Sequence, residues 1–298
     1  MRVRVICALL ALVAWGAAAT PAPAADPGRW VETGYSPVPF EYFQGVTSDR
    51  HENLWFDGFF SGLYRTDPEL NEQARNFNAI PFEVSKEEGY NHIGDISWER
   101  REHGRILLPL ECYFPIIGNF CGTGAIGVAD PETLAWRYYV KLDPAFINKA
   151  MWTEASPNGK LLWTSSGSGD DLLAYDMDDI TASNATPGGR PPTPVRILDG
   201  AVPPIGITGA TFDKHRLLVA GGRGTLFQVW AIDLSDGSRE LEIEKTVYGE
   251  SEGLDMVKSL GGELHWLITP LLAGGRPPTY GQTSALVHFE RAKGRFKP

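Results

Sequence analysis

The sequence predicts an all-β chain folded as a five-bladed β-propeller, with six blades as the alternative count, and three observations carry that expectation. Short runs rich in Trp, Tyr, Phe, Thr and Val are punctuated by 33 glycines and 22 prolines, a composition of many short strands rather than helices. One three-part unit recurs along the chain. Its starts fall at intervals of 44 to 61 residues, the length of a blade of four short strands.

Each unit opens on a strand with a small residue: Gly45 in FQGVTSD, Gly94 in HIGDISW, Ala155 in TEASPNG, Gly209 in ITGATFD and Gly253 in SEGLDMV. A more hydrophobic strand follows, in order NLWFDG, RILLPLE, KLLWTSS, RLLVAGG and ELHWLITP. A third strand then ends on an acidic residue and a turn, at Asp67, Asp130, Asp176, Asp233 and Glu290. From small residue to acidic turn the chain takes 22, 36, 21, 24 and 37 residues. The second and fifth units therefore carry insertions, both between the second and third strands. In a propeller that connection emerges on the face where the first strands begin, so both loops are expected over one mouth of the channel. The leftover segment RWVETGYSPVPF is expected to close the ring as the outer strand of the last blade, leaving no free edge. Residues 69–88 are expected to form a helical turn or irregular excursion, and AGGRGTLF a hairpin.

The first residues read as a cleaved secretory signal peptide: Arg2 and Arg4, an apolar run from Val5 to Trp15, then the A-x-A match Ala22-Pro23-Ala24. Residues 1–25 are set aside on this reading, and residues 26–298 form one propeller domain. No later apolar run is long enough to span a bilayer. The mature chain is therefore expected to be secreted or periplasmic, without a membrane span, and monomeric. A formal net charge of −10 argues against nucleic acid as a partner, because phosphate needs counter-charge. In an oxidising compartment Cys112 and Cys121 are expected to form a disulfide-closed loop, since no further ligands stand near them to complete a zinc site.

Side chains alternate along a strand, so the residue just before each small position is expected to face the channel. Those residues are Gln44, Ile93, Glu154, Thr208 and Glu252. Four are polar, and Asp95 shares the face on which Ile93 is the apolar exception. Such an oxygen-rich ring has the composition that Ca²⁺ favours. His92 has two readings: a general base at the channel mouth, its basicity raised by a carboxylate such as Asp95, or a histidine hydrogen-bonded between blades. Trp98 and Trp152 stand at the edges of first strands, where a ring either packs in the core or stacks on a ligand. His265, on a second strand, is expected to be structural. No G-x-S-x-G occurs, which leaves an α/β-hydrolase nucleophile without support.

The recurrence resembles the secreted and periplasmic bacterial β-propellers, two groups above all. SEGLD resembles a strand start of the gluconolactonase-like and paraoxonase-like calcium propellers. That resemblance implies Ca²⁺ held by Glu252, Glu154 and Asp95, and lactone or ester hydrolysis with the metal as Lewis acid and His92 as base. YFQG resembles the Phe-Thr-Gln-Gly motif of the five-bladed plant-type glutaminyl cyclases (glutamine cyclotransferases), with Gln44 as the motif glutamine. Ile93 stands where that family carries a proton-transfer glutamate, which leaves only Asp95 to replace it. The alternative is a non-enzymatic propeller binding a small molecule, glycan or partner protein at the loop-rich mouth, with Gln44, Trp98, Trp152 and Thr208 as contact residues.

Overall fold

The structure, a computed structural model, describes residues 30–51, 53–58, 61–101, 103–114, 118–166, 169–181, 189–271 and 278–292. The expected signal peptide, residues 1–25, and Pro277 of the fifth insertion lie outside the described residues.

Five antiparallel sheets form the blades of a propeller. From inside to outside, the first blade is Gly45–Ser48, Leu54–Asp57, Leu63–Thr66 and Glu72–Asn76. In the second, His92–Ile93 and Ser97–Glu99 share the innermost place, followed by Arg105–Glu111, Ala125–Ala129 and Trp136–Lys141. The third is Glu154–Ala155, Leu161–Ser165, Leu172–Asp176 and Arg196–Leu198. The fourth is Gly209–Asp213, Arg216–Arg223, Leu226–Asp233 and Arg239–Thr246. The fifth is Glu250–Ser259, Gly262–Thr269 and Ser284–Arg291, completed on its outside by Trp30–Val38 from the other end of the described chain.

The recurrent small residues have a steric cause. A side chain at Gly94 would collide with the Met151 carbonyl of the third blade, and one at Gly253 would meet the Asp95 carboxylate and the Val46 amide. Innermost strands of neighbouring blades approach too closely there for a Cβ. The recurrent acidic residue is equally local. Asp67 accepts the amides of Glu69 and Asn71, Asp130 those of Glu132 and Thr133, Asp176 that of Asp178, and Asp233 that of Ser235. These Asx turns lead out of the third strand. The fifth blade needs no such turn, because its fourth strand is Trp30–Val38, and Glu290 stands there instead.

Five hydrophobic clusters fill the five gaps between blades. Trp163, Trp266, Tyr175 and Phe289 are almost wholly buried in them. Each large apolar side chain so buried contributes roughly 1.5–3 kcal/mol. At the closure, the Arg291 guanidinium lies 4.5 Å over the Trp30 ring. His265 is structural as expected: its Nε2 donates to the Val257 carbonyl at 2.7 Å, and its Nδ1 lies 2.8 Å from Nδ1 of His288. His288 in turn reaches Ser36 of the closing strand at 2.9 Å. Residues 69–88 are irregular only in part, since Glu72–Asn76 is a strand and Glu83–Glu87 is one helical turn. AGGRGTLF is a hairpin tip, with Arg223 paired to Leu226.

Candidate functional site

The upper mouth of the channel is the end where innermost strands begin, and the lower mouth is the end where they turn into second strands. A cavity of about 160 Å³ opens at the upper mouth. Gln44, His92, Met151, Thr208 and Glu252 reach it from the five innermost strands and their approaches. Glu111 joins from the end of a second strand, Lys149 from the approach to the third blade, and Tyr113 and Gly118 from a hairpin.

That hairpin pairs Tyr113–Phe114 with Gly118–Asn119, and the Cys112–Cys121 disulfide closes its base. Asn91 clamps it to the blade like a strand partner: its Nδ2 donates to the Tyr113 carbonyl at 2.9 Å, and its Oδ1 accepts the Tyr113 amide at 2.8 Å. The His92 ring packs against Tyr113 with centroids 5.2 Å apart. The disulfide loop thus stands over the mouth, where the position of the insertion predicts it.

Two buried carboxyls face this cavity. Burial raises Glu111 to about 7, with Lys149 opposing the shift; its Nζ lies 3.9 Å from Oε2. Burial raises Glu252 well above the usual carboxyl range, and the charges of Glu250, Asp95 and Glu111 add to it. An acid that titrates near neutrality can both take and give a proton at physiological pH. On the far wall Thr208 Oγ1 lies 3.0 Å from Ser251 Oγ, which accepts the Trp266 indole N–H at 3.1 Å.

The channel is plugged midway by Asp95, which is only 1% exposed. Its Oδ1 accepts the Val46 amide of the first blade at 3.1 Å, and its Oδ2 the Ala210 amide of the fourth at 2.9 Å. Backbone bridges to Met151 and Thr153 tie the same residue to the third blade. Burial drives Asp95 well above its ordinary pKa, against those two amides. Beside it Asp57, wholly buried, is raised by burial and by the charges of Asp95 and Glu252.

A second cavity, about 290 Å³, opens at the lower mouth among the turns that join first to second strands. Asp49, Glu154 and Asp255 supply its carboxyls, and His51 lines it as well. Burial raises Glu154 to about 8 with Arg50 opposing, and raises Asp255 to about 6 with Ser48 and Arg50 opposing.

The expected ring is therefore divided. Gln44, His92, Thr208 and Glu252 meet at the upper mouth, whereas Glu154 and Trp98 lie at the lower one. Glu154 departs because Asp95 bridges to Trp152, not to Ala155. The third blade thus enters the channel at Met151 and Trp152, and Glu154 lies further down. Asp95 lies between the mouths and lines neither cavity, and its two oxygens serve the fold rather than His92. Ile93 and Asp95 do not share a face, because the innermost strand breaks after Ile93; Ile93 packs in the core between the first two blades. Trp152 goes to the core as well: it is 0% exposed and its indole N–H donates to Ser165 at 2.9 Å. The expected Ca²⁺ ligands Glu252, Glu154 and Asp95 are thus spread along the channel. Among the described residues, no three His, Cys, Asp or Glu side chains are grouped to hold a metal ion.

The residues that sequence reading missed are Glu111, Lys149, Tyr113, Asp57 and Asp255. Glu111 and Asp57 each follow the apolar centre of a second strand, in RILLPLE and NLWFD, and a carboxyl at the end of such a run is the signal available.

Fold and site define a five-bladed propeller with a small, carboxyl-lined cavity under a disulfide-closed hairpin. Among solved structures the chain is similar to a luciferin-regenerating enzyme, with a TM-score of 0.54 and 12% identity over 87% of this chain and 96% of that one. It is also similar to the glutaminyl cyclase of Myxococcus xanthus, with a TM-score of 0.51 and 11% identity over 90% of this chain and all of that one. These likenesses show the fold. No protein-family model matches the sequence, and no curated protein matches it significantly. The disulfide argues for an extracytoplasmic protein, and among the described residues no helix is long and apolar enough to cross a membrane.

Proposed function

We propose that the chain is an extracytoplasmic propeller, residues 26–298 after removal of residues 1–25, whose upper cavity takes a small molecule bearing a protonated amine. One observation carries this reading: two buried carboxyls, Glu111 and Glu252, face one cavity of about 160 Å³. Buried carboxylates are costly, and an ammonium group between Glu252 and Glu111 offsets that cost with charge-assisted hydrogen bonds, beyond the 3.9 Å pairing of Glu111 with Lys149. Gln44 and Thr208 offer oxygen acceptors beside them, and Lys149 offers a donor to a carbonyl or carboxylate on the same ligand. Because Glu111 titrates near 7, it also serves as the acid or base of any reaction at the bound amine.

Calorimetric titration with ethanolamine, putrescine and glycinamide, against ethylene glycol and acetate as neutral and anionic controls, tests the reading. Amines should bind and the controls should not, and Glu252→Gln should weaken amine binding at least tenfold. Equal binding of the controls, or amine binding untouched by Glu252→Gln, contradicts it.

A second reading is favoured by Glu111 sharing a cavity with Gln44: cyclisation of an N-terminal glutamine, the activity in the name of one structural neighbour. The α-amine attacks the side-chain amide carbonyl, and Glu111 carries the amine's proton to the departing ammonia. Glu111 would fill the role that Ile93 leaves empty. Ammonia release from glutaminyl dipeptides, abolished in Glu111→Gln, supports it; none in the wild type ends it. Among the described residues, metal-assisted lactone or ester hydrolysis has no grouped ligand set behind it. A lactone and ester panel with and without EDTA, alongside metal analysis of the purified protein, checks that reading directly.

A further inference from the structure

The lower mouth holds a built site that the proposed function does not use. Asp255 is 5% exposed and lines the cavity, yet its buried Oδ2 has no hydrogen-bond partner. A buried carboxylate oxygen left so is costly unless a ligand donates to it. Glu154, 8% exposed, stands on the same wall. Arg50, whose charge acts on both carboxyls, lines the same cavity together with Arg100, Asp49 and His51. Arg50 sits at the turn after the first innermost strand with φ at 67°, and its Nη2 donates to the Phe212 carbonyl of the fourth blade at 3.1 Å. Trp98, half-buried, supplies an aromatic wall, and its amide is held by Thr47 Oγ1 at 3.0 Å.

The ligand's chemistry follows from that mixture. A cation would meet Arg50 and Arg100, and an anion would meet Asp49 and Asp255. A neutral molecule with adjacent hydroxyls satisfies both sets, because a hydroxyl donates to carboxylates and accepts from guanidinium N–H. An aromatic wall suits a ligand that is apolar on one side and wet on the other. The cavity, about 290 Å³, lies at the small end of ligand pockets, the size for one ring rather than a chain. We infer that the lower mouth is a separate binding site for a neutral, hydroxyl-rich ring such as a monosaccharide, gripped by Asp255, Glu154 and Arg50 against Trp98.

Calorimetric titration of the full mature chain with glucose, galactose and mannose tests this. Serine serves as a zwitterionic probe, putrescine as a cation and inorganic phosphate as an anion. At least one sugar should bind, and Asp255→Asn or Trp98→Ala should weaken it at least tenfold. Trp98→Phe should restore most of the affinity, and Glu111→Gln at the upper mouth should leave it within twofold. Arg100→Ala alters an exposed residue and keeps the test open if Asp255→Asn misfolds; it should weaken the sugar severalfold. Absence of binding by every sugar overturns the inference. So does sugar binding that follows Glu111 rather than Asp255 and Trp98, or a charged or zwitterionic probe that binds more tightly and depends on Asp255.

Discussion

The two mouths of one channel are made by the same five innermost strands, yet they differ in what encloses them. At the upper mouth strands begin, and an inserted hairpin, pinned by Asn91 and the Cys112–Cys121 disulfide, brings Tyr113 and Gly118 over Glu111 and Glu252. At the lower mouth strands turn, and the walls are the turns themselves, with Arg50 reaching from the first blade to the fourth. Asp95 separates the two by tying blades one, three and four together. The lesson is that a propeller's symmetric inner ring says little about where chemistry gathers. The connections at each end decide it.

The largest expected effect breaks the separation itself. Asp95→Ala leaves the Val46 and Ala210 amides buried without partners, which costs on the order of 2–5 kcal/mol. Both ligand sites and the cooperative melt should suffer together in chemical denaturation; a variant as stable as the wild type would show that Asp95 is no hub. Next in size is the contrast between the mouths. Glu252→Gln should cost amine binding at least tenfold while Glu154→Gln leaves it within twofold, as read by calorimetry.

Stability against pH comes next, and its sign is fixed. Glu111 is raised to about 7 and Glu154 to about 8, so the folded chain holds protons that the unfolded chain has released. Their contribution is full below about pH 4.5 and is lost as pH rises through 7 and 8. His265 and His288 are lowered to about 4 by burial, so their contribution is full above about 6.5 and is lost as pH falls toward 4. Above pH 6.5 the histidine contribution is constant, and Glu252, Asp95 and Asp57, raised in the same direction, add to the fall. The melting temperature should therefore fall by several degrees between pH 6.5 and 8.5, for a loss of roughly 2–4 kcal/mol. Glu111→Gln with Glu154→Gln should reduce that slope, and a melt that rises over this range contradicts the assignment.

Smaller still is the staple. Cys112→Ser with Cys121→Ser should cost about 2 kcal/mol or less and weaken amine binding severalfold, while sugar binding at the lower mouth stays within twofold. The smallest effect belongs to the repeated turns: Asp67→Ala removes amide acceptors at the exposed end of one third strand, and should lower the urea midpoint only slightly, with no change at either mouth.

Much of the architecture was legible because propeller units repeat. Four of the five small residues, the glycines, mark places where backbones touch, and four of the five acidic residues close Asx turns, so both leave a pattern in the sequence. The closing strand Trp30–Val38 was legible because RWVETGYSPVPF had no unit of its own. The site was legible only in part. Gln44, Thr208 and Glu252 follow from strand alternation, but Glu154 does not, because its blade enters the channel at Met151 and Trp152, where no small residue marks the start. YNHIGDISW hides its own break: His92 faces the cavity, Ile93 the core and Asp95 the axis, and no strict alternation gives that sequence of faces. Glu111 and Lys149 come from outside the innermost strands, and only folding shows that they meet.

The central claim is that Glu111 and Glu252 make the upper mouth a site for a protonated amine. Calorimetric titration of putrescine from pH 5.5 to 8.5, in the wild type and in Glu111→Gln, tests it most directly. Ionised carboxylates bind the ammonium, so wild-type affinity should rise at least tenfold as pH passes through 7, with protons released on binding. In Glu111→Gln that rise should shrink and the proton release near pH 7 should disappear. Affinity that is flat or falling with pH, or a rise unchanged in Glu111→Gln, contradicts the account.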